Sequence, residues 1–551
     1  MKQQSQGAES KWLYFLIALA VLVNLSGLTI PLMDPDAGVY ATVSKNMLIR
    51  NNYWELYFQG NDWLDKPHFP FWITAFFFKV FGIHTWSYKL PGILFVFMGA
   101  GYSYLLAKQL YNKTVALWAV FILLTAEHII ISNNDVRAEP FLTGLIIASI
   151  YHFYRALSSK ISWHIAAGSF LAACSVMTKG PFTLIPIGAA IAGELVIKKQ
   201  WKEIVHWRWL LALVLVGLFI TPELYSLWYQ FDSHPDKVVF GKTHVSGIRF
   251  FLWDSQFGRF MNTTPMKGKG SPVFFLHTLL WAFLPWSLLM YVSVFDKIKT
   301  GIKSYLQQEW ITICGSLATI LIFSLSKFQL SYYTNIIFPL FAILTAQYIR
   351  KIQVAGAGVF KIIHNVITII LIAGGILLQA FYSPSLPPII LIAIVFALFI
   401  FLLVLPGLLH VNKLLLSLYR VGLASLIINL YINWFFYPDL LKYQSSTEAA
   451  FYINKNHPGV PGACISIYAP AFEFYLKDGW AKMDTGVLYH QDGPAILYIT
   501  QEELDVINQR GIHYEMIKEL DEFHVTMLNL KFVNKKTRRK ELKKHYLVKL
   551  L

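Results

Sequence analysis

The chain is poor in charge and nearly devoid of cysteine. Only 14% of its 551 residues are charged and 56% are hydrophobic, whereas a soluble globular protein carries about a quarter charged. A soluble protein is excluded. Three cysteines, Cys174, Cys314 and Cys464, are too few for a disulfide framework and lack the spacing of a thiolate metal site. The short alternating segments of a membrane β-barrel are missing, so the long apolar runs must cross the bilayer as helices. There is no internal repeat, and no small-residue cleavage site follows the first apolar run, which reads as a retained helix. Acidic residues number 31 against 47 lysines and arginines. The basic excess sits in short loops and at the extreme tail, a distribution that membrane orientation explains and nucleic-acid binding does not.

What is present is a series of apolar windows that predicts an α-helical polytopic membrane protein of about thirteen transmembrane helices. The spans are placed at 11–33, 88–107, 114–132, 139–155, 161–178, 180–197, 208–229, 272–294, 309–325, 331–349, 360–382, 386–409 and 413–437. Alternate short connections collect the basic residues, among them Lys108, Lys113, Arg155, "KKQWK" at 198–202, Arg350 and Lys351. The positive-inside rule makes those connections and the amino terminus cytoplasmic and the carboxyl terminus external. Residues 1–437 then form the membrane domain. Its first outer loop, 34–87, holds two amphipathic segments, "AGVYATVSKNMLIRN" and "HFPFWITAFFFKVFG", expected as helices in the interface plane. Residues 438–551 alternate strand-like "ACISIYA" and "PAILYIT" with helix-like "STEAAFYINKN" and "QEELDVINQR", the pattern of a small α/β domain outside the membrane. The closing "KKTRRKELKKHYLVKLL" is expected as a solvated or headgroup-contacting tail.

The charges of the outer connections are few and concentrated. Asp34 and Asp36 follow the first span, Lys66 lies in the first outer loop, "NNDVRAEPF" holds Asp135, Arg137 and Glu139, "MTKGPF" holds Lys179, and "SLSKFQLSYY" holds Lys327, Tyr332 and Tyr333. All fall on one face, which predicts a polar cavity beneath the outer surface. Carboxylates there suit a general base. The cations suit an anion such as a leaving phosphate, and a lipid-linked phosphate can enter such a cavity sideways from the bilayer. Trp54, Tyr57 and Trp63 fit either a sugar platform or an interfacial aromatic belt.

In order, "PDAGVYATVSKNM", "DWLDKPHFPFWITAFFFKVFG", "TKGP", "FLWDSQFGRF", "FLPWS" and "SLSKFQLSYY" resemble the landmarks of the glycosyltransferase type C enzymes. The nearest branch is that of bacterial aminoarabinose (lipid A) transferases and protein O-mannosyltransferases. The resemblance implies inverting transfer of one sugar from a polyprenyl-phosphate donor to a lipid, glycan or protein acceptor on the outer face of the bacterial cytoplasmic membrane. It also implies a monomer with a periplasmic carboxyl-terminal domain. Position by position it puts the catalytic aspartate on Asp36, with Asp34 as second choice and Tyr40 retained. Lys66 and Arg259 become donor-phosphate ligands, Tyr333 matches a substrate-binding tyrosine, the second acidic position falls on Glu139 or Asp135, and Lys179 matches the Thr-Lys-Gly landmark.

The sequence departs from that family at named positions. Ala37 replaces a glutamate and Val39 an arginine, which leaves sugar and acceptor open. Ser255 and Gln256 replace a Glu-His pair and Asp65 a glutamate, so a divalent metal has no clear ligand set and no cofactor is assigned. Two rival classes remain. A secondary transporter or lipid flippase would place its charges near the midplane of repeated, broken helices, and a membrane scaffold would use the outer domain as a binding module.

Overall fold

The computed structural model describes the chain except residues 1, 158–162, 262–267, 356–357, 410 and 483–494, together with a few further side chains, that of Arg259 among them. The described part is mostly helical. Five helical runs are long and apolar enough to cross a membrane, Thr85–Leu110, Trp201–Asp232, Gly358–Tyr382, Ile389–Leu408 and Lys413–Tyr443. A sixth counts if the pair Lys113–Thr125 and Glu127–Asn134, bent by 52°, is one span. Several expected spans are divided. The run expected at 272–294 breaks into Phe274–Ala282 and Ser287–Lys303 around Pro285, because proline cannot donate to the preceding turn. The run expected at 331–349 opens as a 3-10 turn, Ser331–Ile337, before the helix Phe338–Ala355.

Burial separates two kinds of helix. Lys113–Thr125 is buried from Val115 to Thr125 without interruption and forms the centre of the bundle. Ile389–Leu408 fully buries only Leu402 and Leu405 and leaves Ile389, Ile390, Phe396, Leu403 and Leu408 exposed, as a lipid-facing helix does.

The first outer loop corrects one expectation. Phe69–Phe81 keeps Phe76, Val80 and Phe81 exposed, as an interfacial helix would. Asp36–Ile49, in contrast, is buried continuously from Ala37 to Ser44. It is covered on one side by Phe69–Phe81 and on the other by the helix Pro470–Tyr475 of the carboxyl-terminal region. Its small residues make that sandwich possible: a Cβ on Gly38 would stand 2.4 Å from Asp34 Oδ1 and 2.9 Å from the Ala471 nitrogen.

The boundary expected after residue 437 falls inside the continuous run Lys413–Tyr443. Pro438 follows the wider π-helical turn Ile432–Phe436 within that run, where its missing N–H leaves a carbonyl of the preceding turn without its helical donor. Beyond Ser445 the chain builds a five-stranded mixed sheet in the order Trp480–Lys482, Gly462–Cys464, Ile496–Thr500, Lys543–Leu550, Tyr514–Glu522. The first three strands are parallel and the last two pairings antiparallel. Residues of Ile496–Thr500 alternate between faces: Leu497 and Ile499 pack with Leu504 and Ile507, while Ile496 and Tyr498 pack with Ala449, Ile453 and Phe472, the period of two that a sheet imposes. The closing basic run is therefore not a tail. Lys543–Leu550 is an inner strand, since Tyr546, Leu547 and Val548 are buried, and Arg538 is buried with its guanidinium 3.9 Å over the Tyr382 ring.

Candidate active site

The predicted residues gather at the end of the helical bundle that carries the sheet, and the structure sorts them into three groups. Helix Ala138–Leu157 carries Glu139 in its first turn, and helix Trp163–Lys179 ends with Lys179. These two side chains form a buried ion pair, and the Lys179 ammonium lies 4.0 Å over the Tyr333 ring and 5.4 Å over Tyr332. Both tyrosines come from the turn Ser331–Ile337. A second group centres on Arg137, whose guanidinium pairs with Asp36 at 2.6 Å and Asp135 at 2.5 Å and lies 4.7 Å from the Tyr332 ring. Arg137 is thereby committed to two carboxylates rather than to a phosphate. Asp36, the first residue of its helix, remains 45% exposed, so the pair fixes the carboxylate without closing it off. Tyr40, one helical turn further on, is buried against Phe71 at 5.1 Å; burial and the carboxylates of Glu139, Asp65 and Asp36 hold its hydroxyl well above the usual tyrosine range.

Asp34 lies elsewhere. Its Oδ2 accepts from Ser446 at 2.6 Å and its Oδ1 from the Ala471 amide at 2.9 Å, while its own amide donates to Gln444 Oε1 at 2.9 Å. Both oxygens are thus engaged by the carboxyl-terminal region, and burial pushes the carboxyl up to about 6. Because this value lies above 3.8, the folded state favours protonated Asp34. Its contribution to docking is complete below about 3.8 and is lost as pH rises through about 6, following linkage. The protection of amides at the Asp34–Ser446 seam, relative to their intrinsic exchange rates, is expected to fall as pH rises across that window, and Asp34→Asn is expected to flatten this part of the dependence.

The third group lines a cavity of about 440 Å³. Lys66, Lys179 and Tyr333 reach it among largely apolar walls that include Phe182, Phe251 and Phe323. Lys66 pairs with Asp65 at 2.5 Å. The turn carrying this pair is anchored by two residues that sequence reasoning missed: His68 Nδ1 meets Glu223 Oε1 at 3.0 Å, the His68 amide donates to Glu223 Oε2 at 2.9 Å, and both side chains are fully buried. Their only sequence signal is polarity inside apolar stretches. Gln256 also enters the wall, with Nε2 3.5 Å from the Lys179 carbonyl. It packs on Gly180, whose φ is +114° and whose Cβ position lies 2.2 Å from the Gln256 amide. Gly180→Ala is therefore expected to destabilise the protein by about 1–3 kcal/mol, read as a loss of thermal stability. Arg259 belongs to the helix Ser255–Phe260 on the same wall, but its side chain lies outside the described residues. Among the described residues no group of three or more His, Cys, Asp or Glu side chains could hold a metal ion; Ser255 and Gln256 offer no substitute ligands of that kind.

Over 98% of its length the chain follows 98% of the crystal structure of ArnT from Cupriavidus metallidurans bound to undecaprenyl phosphate, with a TM-score of 0.75 at 16% identity. The chain has the fold of that structure. Residues 65–226, which carry Lys66, Arg137, Glu139 and Lys179, match the family model of dolichyl-phosphate-mannose-protein mannosyltransferases. The undecaprenyl phosphate-α-4-amino-4-deoxy-L-arabinose arabinosyl transferase of Erwinia tasmaniensis is 25% identical over 361 residues, 63% of this chain and 59% of that one. An uncharacterised protein of Aquifex aeolicus is 24% identical over 325 residues, 58% of this chain and 59% of its own. The chain thus spans about three fifths of the length of these curated relatives. Within this fold, the cavity and the two ion clusters share the end of the bundle beside the sheet.

Proposed function

We propose that this protein transfers a single sugar, with inversion, from a polyprenyl-phosphate donor to an acceptor on the outer face of the bacterial cytoplasmic membrane. The reading rests on the cavity, whose apolar walls with Lys66, Lys179 and Tyr333 at them suit one kind of ligand, a lipid chain ending in a phosphate. In the reaction an acceptor oxygen attacks the anomeric carbon, the bond from that carbon to the phosphate oxygen breaks, and its electron pair leaves with the phosphate. Asp36 takes the acceptor's proton. Arg137 holds Asp36 in place, and Lys66 with Arg259 balances the charge gathering on the leaving phosphate.

In this reading the amino terminus is cytoplasmic, the sheet-bearing region is periplasmic, the broken and shorter helices complete about thirteen crossings, and the enzyme works as a monomer. The similarity to arabinosyl transferases favours aminoarabinose transfer to lipid A, and the family-model match favours protein O-mannosylation as the second reading. The test is to incubate the protein in nanodiscs with polyprenyl-phosphate-linked aminoarabinose or mannose and a bacterial outer-membrane lipid or peptide acceptor, following products by mass spectrometry. Free polyprenyl phosphate with a glycosylated acceptor is expected. Donor that changes leaflet but stays chemically intact would make the protein a flippase instead.

A further inference from the structure

A second cavity, of about 1020 Å³, lies between the first outer loop and the sheet-bearing region and shares no lining residue with the first. One wall is the carboxyl-terminal end of helix Asp36–Ile49 with the hairpin Tyr57–Phe58/Asn61–Asp62; the other is Glu473 and the strand beginning at Trp480. Lys45 is not available to a ligand there, since its ammonium donates to the carbonyls of Glu473, Phe474 and Leu476 at 2.7–2.9 Å and so clamps the two walls together. Arg50 lies flat on the Tyr57 ring at 3.4 Å, making a broad planar surface. Around it stand the amides of Asn46, Gln59 and Asn61.

Two polar groups in this lining have hydrogen-bonding capacity to spare. Glu473 accepts from the Asn46 side chain at 3.1 Å and from the Gln59 backbone amide, two bonds for a carboxylate with about four acceptor sites, and Trp480 Nε1 is buried with no hydrogen bond. Buried polar atoms are normally satisfied, so whatever completes this wall brings a donor to Glu473 and an acceptor to Trp480. Hydroxyl groups do both, and a ring of hydroxyls over a planar surface is a sugar.

We infer that this cavity binds the saccharide part of the acceptor. Its residues 45–50 lie 9 to 14 positions beyond Asp36 on the same helix and its cap, roughly 14–21 Å at the α-helical rise, so a sugar held here anchors an extended acceptor whose reacting end lies at Asp36. The inference rests on the transfer reading for that role, but binding is measured without turnover, so the two fail separately. The experiment is saturation-transfer NMR on the full chain in nanodiscs with glucose and glucosamine as probes. Signals are expected in the wild type, unaffected by added undecaprenyl phosphate. Trp480→Phe, which keeps the ring and removes the donor, and Glu473→Gln should each weaken them about tenfold, the factor carried by one hydrogen bond, with thermal stability unchanged. No signal at millimolar sugar, equal signals in both variants, displacement by undecaprenyl phosphate, or preference for an extended peptide over both sugars would overturn the inference.

Discussion

Asp36→Asn is expected to lower the transfer rate about 100-fold to 10,000-fold, the loss that follows removal of a positioned base, with little change in donor affinity. Asparagine keeps the shape and still accepts from Arg137, so the fold should persist; Asp36 is 45% exposed and its partner retains Asp135. Asp34→Asn is the contrasting variant. Both Asp34 oxygens accept from the carboxyl-terminal region, so its effect is expected on docking and its pH dependence rather than on the chemical step. Rates of the two variants with a lipid-linked donor separate the roles directly; an active Asp36→Asn beside an inactive Asp34→Asn would reverse them.

The second large effect is expected at Glu139 and Lys179. Their side chains are 2% and 7% exposed and pair across two helices. Lys179→Met strands a buried carboxylate and Glu139→Gln a buried ammonium, and breaking such a pair from one side costs about 3–5 kcal/mol. Replacing both together is expected to recover much of that stability, because no lone charge is left buried. It should not recover turnover, since Lys179 lines the cavity proposed for the donor. Thermal unfolding and activity measured on the two single variants and the double variant therefore move apart. If the double variant regains activity with stability, the pair is purely structural.

Much of this site was legible in the sequence because charge is so scarce there. In a chain this apolar, Asp36, Arg137, Glu139 and Lys179 stand out against their surroundings, and the alternation of loops puts them on one face. The pairing was not legible. Arg137 reads as an anion ligand until the turn at 135–137 is seen to fold it between Asp36 and Asp135. His68 and Glu223 are 155 positions apart and meet only through packing. The division between Asp34 and Asp36 likewise needs the helix Pro470–Tyr475, more than 400 residues away, to dock against Gly38. The strand at Lys543–Leu550 was hidden by its lysines, whose long stems let a basic sequence bury a short Tyr-Leu-Val core. Helix breaks were hidden too, since hydropathy windows average across Pro285 and the bend at Ala126.

The cavity between Lys66, Lys179 and Tyr333 is proposed to hold a lipid-linked phosphate. Native mass spectrometry of the full chain in nanodiscs, titrated with sugar-free undecaprenyl phosphate, tests it most directly. Saturable binding of one lipid is expected, weakened about tenfold or more in Lys66→Ala, the scale of a lost charge-assisted hydrogen bond, and unchanged in Asp36→Asn. Binding that is absent, or equally strong in Lys66→Ala, would contradict the account.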